Sequence, residues 1–124
     1  MAKHPADLMR VNLLEVFNEP DRARRAAVIA DNYADDVVWH EPDRIVRGRT
    51  GFELRADELR AENPDWVFEA AGVASGLDDI GHLAFRYGPA GRPVVTGMDI
   101  ARVEDGVIVE LYTIVTGSAR TSPS

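Results

Sequence analysis

The chain has 124 residues, no cysteine and a formal net charge of -7 at pH 7. That length suits one hydrophobic core, so residues 1–124 are expected to form a single domain. The missing cysteine excludes disulfides, thiolate nucleophiles and cysteine-ligated metals, and the acidic balance argues against nucleic acid and against anionic membranes as partners.

With 45% hydrophobic and 28% charged residues, the composition is that of a soluble globular domain. No apolar run approaches membrane-spanning length, and the N-terminus lacks the basic-then-apolar pattern of a signal peptide. A cytoplasmic location is therefore expected.

Residues 5–18 place Leu8, Val11, Leu14 and Phe17 three apart, with Met9, Leu13 and Val16 widening the stripe. The pattern predicts a core-facing helix with Pro5 in its first turn. Pro20 breaks it. Residues 21–33 predict a second helix that buries Ala26, Ile29, Ala30 and Tyr33. Residues 37–41, "VVWHE", predict a first strand, and Pro42 to Gly48 a loop. Thr50 and Glu53 fit a capping box that opens a third helix, which Asn63–Pro64 ends. From residue 65 the apolar period changes to two. Residues 66–74, 80–87, 93–103 and 107–116 predict four strands. The small polar tail, 117–124, is expected to be flexible around an ordered core of 5–116. Helices first and a meander of strands afterwards make an α+β domain, a sheet with helices packed on one face.

The stretch "VEDGV" (103–107) allows two hairpins. A two-residue turn at Asp105–Gly106 pairs Ala101 with Glu110. A type I turn over Glu104–Asp105 with a Gly106 bulge pairs Ala101 with Val109 and Asp99 with Leu111. The second keeps one face apolar and is preferred. It puts Asp99 on that apolar face with Gly97, Ala101, Leu111 and Val115, and sends Arg102 and Glu110 to the other.

Two helices, a strand ending in "HEP", a glycine-bearing loop, a third helix and strands closing with "GMDIARVEDGVIVELYTIV" resemble the nuclear transport factor two-like superfamily. The nearest branches are the SnoaL-like polyketide cyclases and the ketosteroid isomerases. The resemblance implies a cone-shaped, strongly curved, mostly antiparallel sheet with three helices on its concave face. It also implies a pocket inside the cone. The isomerase general base, a carboxylate before a proline, falls on Glu41, and the isomerase acid that donates a hydrogen bond falls on Asp99. The isomerase tyrosine falls near Leu13 and is absent. An epoxide hydrolase pattern of that superfamily would need Arg and Asp where Gly81, Leu83 and Thr113 stand, and is rejected. A polyketide cyclase needs one acid in an apolar pocket, which this chain retains.

On this reading Glu41 and Asp99 are the candidate catalytic pair. Glu41 takes a proton beside a carbonyl, while Asp99, kept protonated by an apolar pocket, hydrogen-bonds the enolate oxygen. Strand parity and the resemblance assign Trp39, Leu83, Phe85, Leu111, Thr113 and Val115, with Phe17 from the first helix, to the ligand-binding wall. His40 and His82 point to the outer face, and His4 lies apart, so no metal spacing arises and no metal or other cofactor is expected. Arg44, Arg47 and Arg49 are either solvated, guides for an anionic substrate group, or holders of Asp99. The outer face carries Ala84, Ile100, Tyr112 and Ile114, which suggests a homodimer. The function implied is cofactor-free enolate chemistry, cyclase- or isomerase-like, on a small apolar carbonyl compound. Alternatives are non-catalytic binding of an apolar small molecule, or a dimeric protein-interaction module.

Overall fold

The computed structural model describes residues 3–118. The first helix, α1 (Pro5–Arg10), starts where the nitrogen Nδ1 of His4 accepts a hydrogen bond from the Ala6 N–H at 3.2 Å. At Val11 it widens into a π-helical stretch, Val11–Phe17. A π turn closes a longer hydrogen-bonded ring than an α turn, so it re-phases the side chains that follow. Asn12, Leu13, Val16 and Phe17 are buried as a result. Leu14, expected on the inward stripe, is 42% exposed.

Helix α2 (Arg22–Asn32) is capped by Asp21, whose side chain accepts from the Arg24 N–H. The chain then enters β1 (Tyr33–Glu41) directly, so Tyr33 opens a strand rather than ending a helix. The predicted loop after Glu41 contains a short strand, β2 (Arg44–Arg47), paired back on β1. Helix α3 (Gly48–Glu62) begins two residues before Thr50 and has no side-chain cap. The expected capping box does not form, because Gly48, with φ +82°, turns the chain from β2 straight into the helix.

The remaining strands are β3 (Trp66–Ala70), β4 (Ser75–Leu77), β5 (Ile80–Pro89), β6 (Val95–Glu104) and β7 (Val107–Ser118). The predicted 66–74 strand is thus shorter, with β4 following it separately. Strand β7 runs through Gly117 and Ser118, while the rest of the expected tail lies outside the described residues. The described residues form one seven-stranded sheet in the order β2-β1-β7-β6-β5-β3, with β4 on β5. Only the β1–β7 pairing is parallel. The fold is α+β, nuclear transport factor two-like, and the sheet curls without closing.

The β6–β7 hairpin combines both predicted geometries. Asp105 and Gly106 both have positive φ, 53° and 78°, as a two-residue I′ turn requires. Glu104 pairs with Val107 and Val103 with Ile108. A bulge at Val109 then shifts the register, so Ala101 faces Leu111 and Asp99 faces Thr113. The preferred turn was therefore the wrong one. The bulge restores the apolar face that motivated it, displaced by two residues.

Candidate active site

A cavity of about 200 Å³ opens between the helices and the inner face of the sheet. Both candidate acids line it, Glu41 from the end of β1 and Asp99 from the middle of β6. Phe17, Trp39, Phe85, Thr113 and Val115 also line it, together with Pro42, Leu59, Phe68, Tyr87 and Val95. Leu83 and Leu111 do not. They are 1% and 0% exposed and belong to the hydrophobic core. The bulge explains Leu111: it brings Thr113 opposite Asp99 and leaves Leu111 opposite Ala101.

Gly97 shapes the wall. A Cβ there would stand 2.7 Å from the Phe85 ring and 2.5 Å from the Ile114 carbonyl oxygen. The absent side chain is what lets Phe85 lie across β6.

Asp99 is 4% exposed. The Thr113 hydroxyl donates to its Oδ1 at 2.7 Å, and the Asn12 amide nitrogen donates to its Oδ2 at 3.0 Å. Behind these two donors stand two more. The Trp39 indole N–H donates to Thr113 Oγ1 at 3.0 Å, and the Tyr33 hydroxyl donates to Asn12 Oδ1. The Trp39 N–H is thus committed to Thr113 rather than to the cavity. Burial pushes the Asp99 carboxyl up to about 7, while the bonds from Thr113 and Asn12 pull it down. Burial, and then the charge of Asp99, pushes the Tyr33 phenol well above its usual range.

Glu41 has a different partner. Its side chain is 7% exposed and forms a fork-on-fork pair with Arg55 of α3. Arg55 Nε donates to Oε2 at 2.9 Å and to Oε1 at 3.2 Å, and Nη2 donates to Oε1 at 3.1 Å. Arg55 Nη1 also meets Glu58 at 3.2 Å and Glu62 at 3.5 Å. Arg55 was missed in the sequence. Its signal was its place on the stripe Phe52, Arg55, Ala56, Leu59, where a charge among inward positions asks for a buried partner.

The loop arginines do not hold Asp99. Arg44 lies 4.0 Å from Glu41 and 3.2 Å from Asp43, Arg47 is exposed, and Arg49 pairs with Asp35 and the Tyr33 carbonyl. On the outer face His40 stacks on Tyr112 at 4.3 Å and pairs with Glu110 at 2.8 Å. Arg102 joins Glu110 at 3.6 Å across the hairpin, on the face to which parity sends both.

The sequence profile of the SnoaL-like domain family matches residues 11–111. No curated protein matches the chain. A SnoaL-like family structure from Agrobacterium tumefaciens is similar over 91% of this chain and 97% of its own, at 22% identity and a TM-score of 0.84. IdmH from Streptomyces antibioticus, provisionally named a polyketide cyclase, is 25% identical over 90% of this chain and 91% of its own, with a TM-score of 0.68. A protein from Kribbella flavida, provisionally named a ketosteroid isomerase, is 16% identical over 97% of this chain and 83% of its own, with a TM-score of 0.72.

Proposed function

This chain belongs to the SnoaL-like domain family, and on that premise we propose that it is a cofactor-free acid/base enzyme of the cyclase or isomerase kind. Its substrate is a small apolar carbonyl compound, and Asp99 is the group that moves the proton. One observation carries this reading: Asp99 is a buried carboxyl on the wall of an apolar cavity, raised to about 7. A general acid–base group works best when it titrates near the ambient pH, because both its forms are then populated.

The geometry favours a division of labour other than the one suggested by resemblance. Both oxygens of Glu41 are engaged by the Arg55 guanidinium, so a proton placed on Glu41 would break a charge pair. Each Asp99 oxygen accepts one hydrogen bond from a neutral donor and keeps lone-pair capacity. Asp99 therefore takes the proton from the carbon beside a carbonyl, leaving an enolate. In a ring closure it returns that proton to the carbonyl oxygen that the enolate carbon attacks, which becomes the new hydroxyl. In an isomerisation of an unsaturated ketone the enolate is a conjugated dienolate, and Asp99 returns the proton to its far carbon. The Glu41–Arg55 pair stiffens the junction of β1 and α3 beside the reacting groups.

Exchange of the α-protons of 2-tetralone in D₂O, followed by NMR, tests this. The protein should accelerate exchange, and Asp99→Asn should lower the rate by about 100-fold or more, the usual contribution of a general base. Equal rates for the two proteins would refute the assignment. The apolar lining of the cavity also suits binding without turnover. Tryptophan fluorescence that saturates with 2-tetralone, with no accelerated exchange, would favour that second reading.

A further inference from the structure

We infer that Tyr33 and Asn12 are positioning residues for Asp99, in which the Tyr33 hydroxyl hydrogen fixes the Asn12 amide so that its N–H₂ group, and not its oxygen, faces the carboxylate. The inference rests on the proposal that Asp99 moves the proton, and it concerns which form of Asp99 the resting protein presents to the cavity.

The argument starts from burial. Asn12 and Tyr33 are both 0% exposed. A buried amide without partners is costly, so its two ends must be matched to an acceptor and a donor. The π-helical stretch brings Asn12 inward, between Tyr33 of β1 and Asp99 of β6. An amide has a purely accepting end and a purely donating end, whereas a phenol can do either. Tyr33 holds its proton firmly and packs against the Phe52 ring at 4.5 Å, which offers no strong acceptor. Its hydrogen goes to Asn12 Oδ1, and the amide nitrogen is left for Asp99 Oδ2 at 3.0 Å.

The reversed amide describes a second state. Its oxygen would face Asp99, which would then have to carry a proton to donate to it. The Tyr33 hydrogen would meet the amide nitrogen and lose its partner. The phenol therefore weighs against the protonated acid. On the other carboxylate oxygen the same logic runs through Trp39 and Thr113, because an indole N–H can only donate, which commits the Thr113 hydrogen to Asp99. Two one-way donor chains converge on one acid. The other titratable groups of this cavity are Glu41, already paired with Arg55, and Tyr87 of β5.

The test follows the Asp99 carboxyl itself, by ¹³C NMR of protein labelled in its aspartates, with Asp99→Asn assigning the signal. Tyr33→Phe should move the Asp99 titration upward by roughly one pH unit, the scale of one hydrogen bond to a charged group. Asn12→Leu should move it upward as well, and adding Tyr33→Phe to Asn12→Leu should move it no further, because the phenol acts through the amide. An unchanged or lowered titration in a folded Tyr33→Phe, or additive shifts in the double variant, would overturn the inference. The wild-type protein gives an independent reading that needs no variant. The Asn12 side-chain N–H₂ proton signals should shift along the Asp99 titration, and signals that stay still would also overturn it. Neither reading measures turnover, so a failure here leaves the proton-moving role of Asp99 to be decided by the exchange experiment.

Discussion

Two acids line one cavity in opposite surroundings. Asp99 accepts from neutral donors of the π-helical stretch and β7, backed by Tyr33 and Trp39 of β1, while Glu41 is gripped by a guanidinium from α3. Both side chains are nearly out of water, yet burial is compensated by a cation in one place and by hydrogen bonds alone in the other. A buried charge matched by an opposite charge belongs to the scaffold, because removing either partner strands the other. A buried acid matched only by neutral donors sits close to the balance between its two forms, which is what proton transfer needs. The identity of the residue does not fix its role; its partner does.

The contrast can be broken from the Glu41 side with the largest effect. Arg55→Met should destabilise the protein by about 3–5 kcal/mol, because it strands a buried carboxylate. Adding Glu41→Gln should recover much of that loss. Urea unfolding of the two variants checks both statements, and a double variant no more stable than Arg55→Met would mean that the pair is not the relevant unit.

From the Asp99 side the effect appears in pH dependence. Its carboxyl is raised from 3.8 in the unfolded chain to about 7 in the folded one. The folded state therefore binds the proton more tightly. Its stabilising effect is fully present below about 4 and is lost as the pH rises to about 7, a change of roughly 4 kcal/mol at 1.36 kcal/mol per pH unit. Asp99→Asn removes that dependence. The stability difference between wild type and Asp99→Asn, measured by urea unfolding from pH 4 to pH 8, should move against the wild type by that amount.

Smaller effects sharpen the picture. Gly97→Ala should cost about 1–3 kcal/mol, since the new methyl group displaces the Phe85 ring into the cavity; thermal unfolding and weaker 2-tetralone binding would show it. On the outer face the His40–Glu110 pair is about a quarter to a third exposed. In a lone protomer Glu110→Gln should change stability by less than about 1 kcal/mol. We propose that a second copy covers this face, where Tyr112 and Ile114 are 38% and 45% exposed. Sedimentation at micromolar concentration should then give twice the chain mass, and a monomer would contradict that proposal.

The order of the three helices and the longer strands was legible from the change between helical and period-two apolar spacing, and the shared face of Trp39 and Glu41 from that alternation. Asn12 was not. A π-helical stretch keeps nearly the spacing of an α-helix in sequence, but its wider ring turns a polar residue inward and Leu14 outward. The hairpin shows a similar limit. Parity placed Asp99 on the correct face, but only the bulge at Val109 selects Thr113 over Leu111 as its neighbour. Strand β2 went unseen because the five residues between Pro42 and Gly48 read as a loop. Arg55 stood on an inward stripe and was readable as a buried cation, but its partner lies 14 residues away across the β1–β2–α3 turn.

The pH profile of 2-tetralone exchange in three proteins tests the division between the two acids most directly. If Asp99 is the base, the wild-type rate rises with pH through about 7 and levels off, Glu41→Gln keeps that rise, and Asp99→Asn loses it. A rise that survives in Asp99→Asn and vanishes in Glu41→Gln would reverse the assignment.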